Sequence, residues 1–185
     1  RELTGCGTQT AGLAFGGQIT THSALSESYN GTSWTEGNDL NTARSEDPAG
    51  MGTQTAALCA GGNSGSDTAI TEKYDGTSWT EVGDLNTARA VLAGAGTTST
   101  AIVFGGTPNT AKTEIWDGTS WTEVADLATG RNNLAGLGTS TDALAFGGGS
   151  PGSNATEQFT SPSTFSKINL GQVYYNSGSN AFKVT

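Results

Sequence analysis

Glu72-Lys73-Tyr74-Asp75-Gly76-Thr77-Ser78-Trp79-Thr80-Glu81-Val82 is the stretch that decides how this chain is read. It recurs nearly unchanged as Glu27-Ser28-Tyr29-Asn30-Gly31-Thr32-Ser33-Trp34-Thr35-Glu36. A third copy is Glu114-Ile115-Trp116-Asp117-Gly118-Thr119-Ser120-Trp121-Thr122-Glu123-Val124. A Gly-Gly doublet precedes each copy, and an Asp-Leu followed by an arginine comes after it. The chain is a tandem repeat, and its period sets the architecture.

Working outward, the doublets Gly16-Gly17, Gly61-Gly62, Gly105-Gly106 and Gly147-Gly148 are spaced 45, 44 and 42 residues apart. Periods in the forties fit both four-stranded propeller blades and helical repeats. Segment length decides between them. Runs such as Ala101-Ile102-Val103-Phe104, closed by glycines and threonines, are too short for helices and suit buried strands. No segment carries a helical apolar stripe. Each unit then reads as a short hairpin, a loop, an aromatic strand through Tyr29, Tyr74, Trp116 or Phe159, and a Trp strand. Asn30-Gly31, Asp75-Gly76 and Asp117-Gly118 make the tight turns, because these residue types tolerate positive φ. Unit four is eroded, with Phe165 in the Trp slot and a last strand expected over 166–170.

The expected fold is all-β, a propeller of four four-stranded blades over residues 1–170, with blades at about 1–40, 41–85, 86–127 and 128–170. Residues 171–185 read as a separate C-terminal β-hairpin, Val173-Tyr174-Tyr175-Asn176 against Ala181-Phe182-Lys183-Val184. Length and sequence drift together only in loops 18–26, 63–71, 107–113 and 149–156, which marks them as surface loops. The binding candidates are the polar residues there, His22, Asp67, Asn109 and Asn154.

Composition narrows the function. The net charge of −9 and the four widely separated arginines exclude a nucleic-acid partner, which requires clustered cations. No apolar run reaches the length of a membrane span, so no membrane insertion is expected. The single histidine excludes a copper centre of several His ligands, and two cysteines plus one histidine are too few for structural zinc. Cys6 and Cys59 occupy slots that other units fill with small or apolar residues, so both read as buried free thiols.

The acids Glu27, Glu72, Glu114 and Glu157, with Asp39, Asp84 and Asp126, recur in every unit or nearly so. Catalytic carboxylates divide acid and base roles and would differ from their copies, so these read as structural. No catalytic residues and no cofactor are expected; calcium in the polar turns is the sharper alternative. Arg1, Arg44, Arg89 and Arg131 read as in phase, either as inter-blade clamps or as an anion site at one mouth of the channel. We favour the clamp.

The order of arginine, small-residue strand, apolar strand ending Gly-Gly, loop, aromatic strand, turn and Trp strand resembles the kelch repeat over residues 1–170. The wording of the units resembles marine bacteriophage tail and virion proteins: Gly52-Thr53-Gln54-Thr55-Ala56-Ala57-Leu58, Leu85-Asn86-Thr87-Ala88-Arg89 and Gly171-Gln172-Val173-Tyr174-Tyr175-Asn176. The resemblance implies a non-enzymatic virion module, tail- or fibre-associated and extracellular, with variable loops turned to a host-surface glycan or protein. The alternatives are a purely structural protein that assembles with other virion proteins, and a secreted polysaccharide-active kelch enzyme, which the missing histidines disfavour. Self-association is left open. The repeat tyrosines and tryptophans read mainly as core.

Overall fold

Each unit folds as one antiparallel sheet because its two hairpin turns are too short to send the chain anywhere but back along the preceding strand, while a longer loop joins the two hairpins. The computed structural model describes residues 1–149, 152–160, 173–176 and 181–184. Blade 1 comprises β1 (Thr4–Thr8), β2 (Ala11–Phe15), β3 (Ser26–Tyr29) and β4 (Trp34–Glu36). Blade 2 comprises β5 (Ala49–Thr53), β6 (Ala56–Ala60), β7 (Thr71–Tyr74) and β8 (Trp79–Glu81). Blade 3 comprises β9 (Ala93–Gly96), β10 (Ala101–Phe104), β11 (Thr113–Trp116) and β12 (Trp121–Val124). Blade 4 shows β13 (Leu134–Gly138), β14 (Asp142–Gly147) and β15 (Thr156–Thr160); the strand expected over 166–170, with Phe165, lies outside the described residues. Strands pair in sequence order within every blade. The result is the expected all-β, four-bladed β-propeller. A further antiparallel pair, β16 (Val173–Asn176) with β17 (Ala181–Val184), forms where the C-terminal hairpin was expected.

The first strand of each blade is innermost, and these strands pack side by side in the order β1, β5, β9, β13. Alternate glycines allow that approach. A Cβ on Gly94 would lie 2.7 Å from Met51 Sδ, and one on Gly136 would lie 2.7 Å from the Phe104 ring. Between blades the core repeats. Leu13 and Phe15 of blade 1 pack on Tyr74 and Trp79 of blade 2; Met51 and Leu58 of blade 2 pack on Trp116 and Trp121 of blade 3. Ile102 and Phe104 of blade 3 then pack with Ala143, Ala145 and Phe159 of blade 4. Cys59 is buried in the first of these layers with Cys6 against it, and neither forms a disulfide. Burial, the larger cause, and their mutual proximity push the Cys6 thiol up to about 12; burial alone dominates at Cys59, raised to about 11.

The β3–β4 turns differ in one physical detail from the sequence expectation. Only the glycines take positive φ, at 92° for Gly31, 97° for Gly76 and 99° for Gly118. The preceding Asn or Asp acts through its side chain instead. Asp75 Oδ1 accepts hydrogen bonds from the amides of Thr77 and Ser78 at 2.8 Å each, and Asn30 and Asp117 do the same in their turns. Those amides, Ser78 first, hold the Asp75 carboxyl below the usual range, and the Ser120 and Thr119 amides do so for Asp117.

Candidate functional site

In a four-stranded antiparallel blade, the second-to-third strand loop and the blade-to-blade connection lie at one end, and the two hairpin turns lie at the other. The variable loops therefore share one rim with the arginine-bearing connections. A run of contacts ties them together. His22 Nδ1 lies 2.8 Å from Ser45 Oγ, and Ser45 and Asn63 exchange backbone hydrogen bonds at 2.9 Å. Asn63 also bridges Asp67, and the Asp67 carboxylate accepts a hydrogen bond from the Thr107 hydroxyl of blade 3. The Ala90 amide donates to Thr107 Oγ1 at 3.0 Å, which closes the run onto the next connection.

His22 and Asp67 are thus half-buried members of one surface strip. Asn109 is exposed beside Thr107, with φ at 72° and its amide donating to Gly106 O. Asn154 is exposed in the fourth loop, and no hydrogen bond joins it to the other three among the described residues. Sequence reasoning singled out the loop tips and missed Ser45, Asn63 and Thr107, which connect them. Ser45 lies outside the variable segments, so nothing in length drift could have marked it.

Rigidity comes from beneath the rim. Glu114 carries no exposed side-chain surface, and its Oε2 accepts the Asn86 amide at 2.7 Å and Asn86 Nδ2 at 2.9 Å. Its Oε1 accepts Arg89 Nη2 at 2.9 Å. Arg89 Nη1 donates to the carbonyls of Gly105 (2.8 Å) and Lys112 (2.6 Å). Burial pulls the Arg89 guanidinium below its ordinary pKa, and Glu114 opposes that shift. Glu72 with Arg44 and Asn41 forms the same cluster in blade 2, and Glu157 with Arg131 forms a reduced one in blade 4, where the Ala128 amide stands alone in the asparagine's place. Each clamp arginine also reaches back to the preceding blade through its own carbonyl, which accepts from Gly17, Gly62 or Gly106. A Cβ on Gly61 would lie 2.6 Å from Arg89 O, so the doublet is glycine because this carbonyl sits on it. The arginines are inter-blade clamps, each with its side chain in one blade and its carbonyl bonded to the blade before.

Arg1 departs from the expected phase. Its carbonyl accepts the Gln18 amide, the role that Ser45, Ala90 and Asn132 fill in the other units, so it stands one position beyond the clamp arginine. It lies 3.9 Å from Glu2 and is 77% exposed. Glu27, the blade 1 counterpart of Glu72 and Glu114, is exposed and meets no arginine among the described residues. Blade 1 also overturns one part of the aromatic expectation. Trp34 is 51% exposed, against 5% for Trp79 and 5% for Trp121.

The remaining chemistry is sparse. Asp39 and Asp84 each accept a strand amide, from Ser26 and Thr71, as structural acids do. Among the described residues no group of three or more His, Cys, Asp and Glu side chains is placed to hold a metal ion. Nor is any helix there long and apolar enough to cross a membrane.

The geometry defines a β-propeller scaffold with a rim of variable loops. No protein-family model matches the chain, and no curated protein matches it in sequence. Among solved structures, that of YjhT, a propeller, is similar in fold. The TM-score is 0.73 at 10% sequence identity, over 87% of this chain and 66% of that one. The chain therefore spans just under two thirds of YjhT's length, and a likeness at this identity carries the fold alone.

Proposed function

We propose that this chain is a non-enzymatic, kelch-like binding module of a phage virion, tail- or fibre-associated, whose loop rim engages a host-surface glycan or protein. The observation that carries the reading is the pairing of drifting loops with a repeated rigid support. Loops 18–26, 63–71 and 107–113 are linked side by side, and an arginine–glutamate clamp recurs beneath the loops of blades 2, 3 and 4. Rigid strands carrying divergent loops at one end are a common way to build a recognition surface. Two further facts support a non-enzymatic role. The only histidine bonds to Ser45, and the buried repeat carboxylates Glu72 and Glu114 are already engaged by arginine and backbone amides.

The test is binding of the labelled chain to bacterial host cells and to their purified surface polysaccharide. Replacing residues 63–67 and 107–110 by Gly/Ser segments of equal length is expected to abolish binding while a Trp34→Ser variant still binds. Retained binding by the loop-replaced chain, or turnover of the polysaccharide by pure protein, would overturn the reading. The second reading, a structural role in virion assembly, is favoured by the exposed apolar side chains at the first and last blades.

A further inference from the structure

We propose that copies of this chain associate head to tail, the outer face of blade 4 in one copy covering the open face of blade 1 in another. The inference rests on the fold and is independent of the binding role proposed above. Within the chain the same interface occurs between each pair of consecutive blades, always with the Leu or Ile face of one blade against the aromatic face of the next. Both halves of that interface recur in blades 1 and 4 without a partner among the described residues. β13 and β1 make no contact comparable to those joining consecutive inner strands.

On the blade 1 side, Trp34 is 51% exposed where its two counterparts are 5% exposed. The Tyr29–Trp34 ring pair nonetheless keeps the geometry of the covered pairs. Its centroids are 5.0 Å apart, against 5.0 Å for Tyr74–Trp79 and 5.4 Å for Trp116–Trp121. The face is preformed, so covering it requires no rearrangement. Gly5 points the same way. A Cβ on Gly94 or Gly136 would strike the preceding blade, whereas the nearest atoms to one on Gly5 belong to its own blade, at Leu13 and Ala14.

On the blade 4 side, Leu137 is 52% exposed where Met51 and Ala95 are 2% and 6% exposed. Leu144, in register with Leu137, stands beside it in an open, mainly apolar groove lined also by Ala143, Gln158 and, at its edge, Asp142. In blades 1 to 3 the residues equivalent to Leu144 are Leu13, Leu58 and Ile102, at 2%, 0% and 0% exposure. A second copy fits as the occupant because it carries both complementary halves, already matched three times within each chain. Such a contact is heterologous: the two copies use different surfaces, and a pair that engages both ends is closed.

That asymmetry gives a decisive test by light scattering on the 185-residue chain. The wild type is expected above monomer mass, and Trp34→Glu and Leu137→Glu are each expected to be monomeric with an unchanged β spectrum. Mixing the two variants is expected to restore a dimer, because one supplies an intact blade 4 face and the other an intact blade 1 face. Trp34→Ser and Leu137→Ser stand in if either glutamate variant misfolds. A wild type that stays monomeric at every concentration, single variants that remain assembled, or a mixture that stays monomeric would each overturn the proposal. So would an oligosaccharide that quenches Trp34 fluorescence while the chain remains monomeric.

Discussion

At Arg89 and Glu114 a full positive and a full negative charge sit side by side with no exposed side-chain surface. Such a pair is stabilising only when its remaining hydrogen-bonding capacity is used, because desolvation otherwise cancels the attraction. Here two backbone carbonyls take Arg89 Nη1 and a backbone amide takes the carboxylate, so most of that capacity is used, with Arg89 Nε the one buried donor of the pair left without a partner among the described residues. Removing one partner strands the other. Glu114→Gln is expected to lower unfolding stability by about 3–5 kcal/mol, a large fraction of the roughly 5–15 kcal/mol that domains possess. Glu27→Gln, at the exposed counterpart without an arginine, is expected to stay within about 0.5 kcal/mol of wild type. Urea midpoints of the two variants check the contrast, and equal losses would show that the clamp does not organise the blade.

At the scale of elements, the inner strands owe their close packing to glycines that have no conformational need to be glycine. Gly136 is in β13 with an ordinary strand backbone, yet a methyl group there would lie 2.7 Å from the ring of Phe104, itself 1% exposed. Gly136→Ala is expected to cost about 1–3 kcal/mol in thermal or urea unfolding through overpacking. A stabilised variant would mean that β9 and β13 are not held at this distance. Much of this level was legible in the sequence. The Trp strands, the Asp-Gly turns and the hairpins follow from spacing and residue type, because their geometry is local. The exposure of Trp34 was not legible. Its stretch reads like those around Trp79 and Trp121, and only the neighbouring blade, a long-range matter, decides whether the ring is covered. The offset of Arg1 escaped for a related reason. The arginine lead-ins differ by a residue or so between units, and only the Gln18 hydrogen bond fixes which position Arg1 holds.

For the whole molecule, three levels join: repeated strands make similar blades, buried clamps fix the connections, and the connections hold divergent loops on one rim. The candidate residues were legible as loop residues through their drift in length, but the path from His22 through Ser45 to Asp67 depends on contacts between repeats. A gradient of rigidity follows. Blades 2 and 3 carry complete clamps and are covered on both faces, whereas blade 1 has Glu27 without an arginine and an open aromatic face. Residue-resolved native-state hydrogen exchange, on the Leu137→Glu variant so that blade 1 stays uncovered, tests this most directly. Slow exchange is expected at the Asn41 and Asn86 amides and through β7 and β11, and faster exchange through β3 and β4. Protection of β3 and β4 equal to that of β7 and β8 would contradict it.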